Sequence, residues 1–105
     1  MTTFDDREHA YEAKFAHDEH LRFKAEARRN RLLGIWAATL LGKTGEAAES
    51  YAVEVVKSDF EEAGDEDVFR KLAGDLEGKA DAAAIRARMG ELMVEARRQI
   101  IEEAK

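Results

Sequence analysis

In the last quarter of the chain Ile85, Met89, Leu92, Ala96 and Ile100 recur at spacings of four, three, four and four. That repeat lines side chains up on one face of an α-helix. A matching stripe runs through Ala52, Val55, Val56, Phe60 and Ala63, and another through Val68, Leu72 and Leu76 with Phe69 and Ala73 beside it. Leu33, Trp36, Ala37 and Leu40 supply a fourth apolar face. The period-two alternation of β-branched residues that marks a half-buried strand does not occur. Four amphipathic faces on short connections predict an all-α fold, a small four-helix bundle.

Glycine punctuates the pattern. Gly42 and Gly45 flank Lys43-Thr44, Gly64 precedes Asp65, and Gly78 stands shortly before Asp81. Each lies beside a residue suited to capping the next helix. The helices expected from these breaks run over roughly 5–41, 46–63, 66–77 and 82–103. Gly34, Gly74 and Gly90 fall inside helices, where each costs about 1 kcal/mol relative to Ala, so close helix approach is the expected reason for them.

The first thirty residues depart from this scheme. Phe4, Tyr11 and Phe15 fall within about 40° of one another on a helical wheel, whereas the stretch from Ala16 to Arg31 is dominated by charge. Residues 1–19 carry Asp5, Asp6, Glu8, Glu12, Asp18 and Glu19 against Arg7 and Lys14. Residues 22–31 carry Arg22, Lys24, Arg28, Arg29 and Arg31 against Glu26. The organisation expected is an N-terminal arm over 1–19 and a bundle domain over 20–105 that includes the basic collar 22–31. An isolated helix of the arm's length is marginal in water, so the arm is expected to protrude, partly disordered, until a partner covers its aromatic face. Folding back of Phe4, Tyr11 and Phe15 onto the chain's own bundle is the competing reading.

Composition narrows the function classes. The chain has 105 residues, 17 Lys and Arg against 23 Asp and Glu, and a formal charge of −6, which disfavours a general grip on nucleic acid or anionic lipid. Without cysteine there is no thiolate nucleophile, zinc-thiolate site or disulfide, and a reducing, cytoplasmic setting fits. Neither a secretory leader nor a membrane span is expected from the opening residues or from any apolar run. Ser50 and Ser58 are the only serines and neither has a histidine near it in sequence, so nucleophilic catalysis has little to work with and no catalytic residue is expected.

Several smaller constellations have ordinary explanations. Gly42-Lys43-Thr44 resembles the end of a phosphate-binding loop, but position 37 is Ala where that motif needs Gly; a helix-terminating turn is the expectation. All three histidines, His9, His17 and His20, lie in or next to the arm. His17 and His20 share a helical face, yet spacing fixes no third ligand, so a solvated polar face is expected, with no metal site. Titration of these imidazoles near neutrality would alter the arm's charge. The acidic run Asp59, Glu61, Glu62, Asp65, Glu66 and Asp67 misses the calcium-loop spacing and suits a helix start. The collar could receive phosphate or a carboxylate surface, or simply be a solvated helix face.

The stretch FDDREHAYEAKFAHDEHLRFKAEARRNRLLGIWAATLLGKTG, followed by DFEEAGDEDVFRKL, resembles the zeta subunit of alphaproteobacterial F-type ATP synthases. The ordered combination of FDDRE, KFAHDE, ARRN, LLGKTG and EEAGDEDV carries the likeness over nearly the whole chain. The resemblance implies an inhibitor of ATP hydrolysis whose N-terminal segment enters a catalytic alpha/beta interface of the synthase head and stops rotation in the hydrolytic direction. By matching positions, the residues implied to bind the partner are Phe4, Asp5, Asp6, Arg7, Glu8, Phe15, Ala16 and Asp18, with Tyr11 added by the aromatic stripe. The implied partners are the alpha, beta and gamma subunits of the head, reached from the cytoplasmic side of the membrane. No cofactor is required; adenine nucleotide binding is associated with the family but maps onto no position here. His9, Tyr11 and His20 stand where similar sequences are expected to carry Asn or another polar residue, Phe and an acidic residue.

Two other classes remain open from residues alone. One is a helical sensor responding to nucleotide or metal through His17, His20 and the collar. The other is a self-associating bundle whose aromatic arm packs against its own copy.

Overall fold

A computed structural model describes residues 18–59 and 65–103, and among them the chain forms four α-helices and no strand: α1 Glu19–Leu40, α2 Gly45–Ser58, α3 Glu66–Asp75 and α4 Ala82–Glu103. α1 packs against α2 and α4, and α3 closes the ring by packing against the same two helices.

The first helix does not run unbroken from residue 5, as the apolar pattern suggests. Asp18 sits in an extended conformation, φ −106° and ψ 106°. Its Oδ1 accepts from His20 N at 3.0 Å and Leu21 N at 3.2 Å. In a continuous helix those N–H groups would bond to carbonyls one turn upstream; here a side chain satisfies them, which is an N-cap. The hydrophobic pattern misses this because period alone does not locate a cap.

The far end of α1 stops as the sequence implies. Gly42 takes φ +76°, Gly42 N donates to Thr39 O at 3.1 Å, and Lys43 N donates to Ala38 O at 2.8 Å. This pair of bonds around a left-handed glycine is a Schellman ending, so Gly42-Lys43-Thr44 is a turn. α2 ends at Ser58, earlier than the expected 63, with Asp59 N donating to Val56 O at 3.3 Å. Phe60 and Ala63 lie outside the described residues. α3 ends at Asp75, followed by a turn through Gly78 at φ +81°. Asp81 then caps α4 by accepting from Ala84 N at 2.8 Å, whereas Thr44 and Asp65 make no side-chain cap bond.

The main core gathers the four predicted faces. Leu33, Ala37, Val55, Val68, Leu72, Leu76 and Ile85 are fully buried, with Tyr51 and Met89 nearly so. Each large aliphatic side chain buried in this way contributes about 1.5–3 kcal/mol. A second, smaller cluster joins Ala25 of α1 to Ile100 of α4, with Leu21, Met93 and Ile101 around it. The buried side of α1 therefore begins at Leu21, twelve residues before Leu33, where the expected apolar face starts, and it holds the charged half of α1 against α4.

One residue of the expected fourth face is corrected: Leu40, the last residue of α1, is exposed. Trp36 is half-buried and packs against the main core, with the Arg88 guanidinium 5.6 Å from its ring centroid. Of the helix-interior glycines only Gly34 has a close neighbour; a Cβ at Gly74 or Gly90 would meet nothing within 4 Å.

Candidate partner-binding surface

Of the residues expected to bind a partner, Phe4, Asp5, Asp6, Arg7, Glu8, Tyr11, Phe15 and Ala16 lie outside the described residues. Asp18 is the exception, and its carboxylate is engaged as the α1 cap. It marks where the bundle's first helix starts. His20 follows in the exposed first turn; His9 and His17 lie outside the described residues.

The basic collar proves to be a set of clasps. Arg28 forms a two-pronged ion pair with Glu103, one prong at 2.9 Å, and Lys24 stands 4.0 Å from the same carboxylate. These contacts tie the start of α1 to the end of α4. The Arg28 hydrogen bond holds the Glu103 carboxyl below the usual carboxylate range, and the Glu103 bond in turn raises Arg28. Arg31 reaches across to Glu49 of α2, with contacts at 2.8 and 2.9 Å. Arg22 pairs with Glu19 at 3.8 Å on its own helix. Such exposed pairs contribute little stability individually. Their effect is to leave each collar cation beside a carboxylate of this chain.

Arg29 differs in kind. Only 2% of it is exposed; its Nε donates to Asn30 Oδ1 at 3.0 Å and its terminal nitrogen donates to Asp65 Oδ1 at 2.9 Å. That bond, from α1 to the entry of α3, pulls the Asp65 carboxyl below its usual range against the opposing pull of burial. Asn30 is wholly buried, and among the described residues its Nδ2 has no hydrogen-bond partner. Burial pushes the neighbouring Asp59 carboxyl up, although the Asn30 amide and the Arg29 guanidinium face it. The sequence leaves the whole collar open between a surface for phosphate or carboxylate and a solvated face, because five cations in ten residues look alike; the partner that distinguishes Arg29 is 36 residues away.

On the far side of the bundle, Tyr51 Oη donates to Asp75 Oδ2 at 2.7 Å, and Lys71 donates to the same oxygen at 3.0 Å. Burial foremost, then the Asp75 hydrogen bond, raises the Tyr51 hydroxyl above its usual titration range. Arg86 lies 3.7 Å above the Phe69 ring and pairs with Glu66 at 2.9 Å. These contacts hold α2, α3 and α4 together and offer no reactive group. Among the described residues no three His, Asp or Glu side chains gather as a metal site, and no helix is long and apolar enough to cross a membrane.

What the sequence reading missed is a groove along α1. Phe23, Ala27 and Val56 form its apolar floor; His20 lies on its lining, as do Lys24 and Arg28, which pair with Glu103, and Arg31, which pairs with Glu49. Its volume is about 460 Å³. Phe23 is 55% exposed. The available signal was the pair Phe23 and Ala27, four residues apart inside the charged stretch.

The chain resembles proteins of known structure and family. A protein whose solution NMR structure has been solved is 57% identical, with a TM-score of 0.74 over 79% of this chain and 98% of its own. Comparison with curated proteins returned no match. The family model described as ATPase inhibitor subunit zeta matches residues 1–99, taking in the N-terminal segment and nearly all of the bundle. The chain therefore belongs to the ATPase inhibitor subunit zeta family, whose members are regulatory proteins and not enzymes.

Proposed function

We propose that residues 1–19 are the effector of this inhibitor. They wedge as a helix into a catalytic alpha/beta interface of the F-type ATP synthase head and block rotation in the hydrolytic direction. The gamma subunit lies within reach, and residues 20–105 form the body that anchors the wedge on the cytoplasmic side. The observation that supports this reading is the boundary at Asp18, where a side-chain cap starts the first bundle helix afresh. From Leu21 onward the described residues close a core among themselves. The arm's sequence suits insertion: Phe4, Tyr11 and Phe15 share one helical side while Asp5, Asp6, Arg7 and Glu8 can set register. Aromatic anchors in a closed pocket carry most of the energy of such contacts, and ordering the segment draws on it.

The test compares the full chain with one lacking residues 1–17, which keeps the Asp18 cap, on purified synthase head. Hydrolysis should fall with the full chain only. Equal inhibition by both would overturn the assignment of the arm as effector.

A further inference from the structure

Asp59, at the end of α2, lies half-buried on a small cavity of about 10 Å³, with Phe23, Ala27 and Val56 as its apolar walls and Glu26 and Asn30 of α1 as its other polar ones. α2 packs against α1 and α3. Among the described residues, the charged groups facing Asp59 from those helices are Glu26 and Arg29 of α1 and the buried Asp67 of α3. We propose that Asp59 is a proton-binding site. Its carboxylate takes a proton in mild acid, with the Glu26 carboxylate across the cavity as acceptor for the new O–H, and the end of α2 is then held more firmly on α1.

Three observations carry this. The first is charge. Glu26, Asp59 and Asp67 gather about one guanidinium, and Arg29 already donates to Asp65 at 2.9 Å. Carboxylates crowded into a site shielded from water disfavour one another's ionisation. The second is the orientation of Asn30. This wholly buried side chain accepts from Arg29 Nε through Oδ1 at 3.0 Å, which fixes the amide and leaves Nδ2 as its free donor. The amide favours the ionised form of Asp59, yet among the described residues Nδ2 closes no hydrogen bond, so its help is weak. The third is burial. Apolar walls deprive an ionised carboxylate of water, and this pull, the largest on Asp59, raises it above the ordinary range. Asp65 is drawn the opposite way by its Arg29 bond. On acidification Asp59 therefore takes its proton while Asp65 still holds its charge against Arg29. A raised carboxyl binds its proton more tightly in the folded chain than in the unfolded one. Its stabilisation is complete below the unfolded value of about 3.9 and is lost as pH rises through the folded-state value.

The test follows the side-chain carboxyl carbons of the full-length chain by carbon-13 NMR through an acid titration. The Asp59 midpoint should lie above the ordinary aspartate value of about 3.9 and above the midpoint of Asp65. An Asp59 midpoint at or below either one overturns the proposal. Glu26→Gln should bring the Asp59 midpoint down, and a midpoint that stays in place overturns the proposal too. Asp59→Asn keeps the shape of the protonated group without its titration. Its urea midpoint should exceed that of the wild-type chain at neutral pH, and the gap should close as both are acidified. A variant midpoint at or below wild type at neutral pH, or a gap that does not change with pH, overturns the proposal.

Discussion

The Cα of Ala52 lies 2.5 Å from the point that a Cβ on Gly34 would occupy. At this crossing α1 and α2 touch backbone to backbone, next to the fully buried Leu33 and Val55. The glycine is a requirement of that contact, because the obstacle is main chain and cannot rotate away.

Gly34→Ala should therefore destabilise the bundle. Helix propensity favours the change by about 1 kcal/mol, but overpacking of this kind costs about 1–3 kcal/mol, so a lower urea midpoint is expected. Gly90→Ala, with open space around it, should gain about 0.5–1 kcal/mol. A midpoint that rises for Gly34→Ala would contradict the close crossing.

The Arg29–Asp65 bond predicts an acid-dependent loss of stability. Asp65 is depressed below its ordinary range chiefly by the Arg29 hydrogen bond, so its contribution is present above about pH 4 and is lost as pH falls through the lower folded-state value. Asp65→Asn should cost about 1–2 kcal/mol at neutral pH, discounted because the carboxylate is half exposed. The wild-type and variant unfolding midpoints should converge as the solution is acidified. Parallel curves would rule the bond out as a source of stability.

Tyr51 behaves in the opposite sense. Its hydroxyl is raised by burial and by Asp75, so the stability it provides is present below its ordinary value near pH 10 and disappears as pH climbs beyond it. In a Tyr11→Phe background Tyr51 is the only tyrosine. Tyrosinate absorbance should then appear late, together with alkaline unfolding. Tyr51→Phe should cost about 1 kcal/mol in a neutral urea titration; an ordinary tyrosine titration in the folded protein would contradict the contact.

Phe4→Ala combined with Phe15→Ala should weaken inhibition by about 2 kcal/mol or more, roughly 30-fold in concentration. Lys105→Ala, at the far end of the chain, should leave the inhibition curve in place. The readout is ATP hydrolysis by purified head at graded inhibitor concentrations. Coincident curves would refute the role given to the aromatic side.

Much of this is legible before any coordinates exist, and the reasons are specific. The Ile85 to Ile100 stripe predicts α4 over 82–103, and α4 is found there, because a period sustained over several turns admits one burial geometry. Gly42 announces a helix end through its backbone freedom, and the Schellman bonds follow. The Asp18 cap was harder to see. A capping Asp looks like any other acid when helical pattern continues on both sides, so the expected helix over 5–41 ran through it.

The candidate surface was less legible than the fold. Phe23 lies among charges and lacks a stripe of its own, while Val56 reads as core although it is only half-buried beside the groove. Gly34, Gly74 and Gly90 look identical in sequence; only the first faces another backbone.

Sequence by itself determined what depends on neighbours three or four residues apart: helical class, the approximate helix ends, the acidic aromatic arm and the basic collar. Tertiary structure alone decided which collar cation is buried, which glycine is indispensable and where Phe23, Ala27 and Val56 come together as the floor of a groove. Arg29 and Asp65, or Gly34 and Ala52, meet across separate helices. A helical period specifies which face turns inward, but the residue it finally meets is fixed by how whole helices cross.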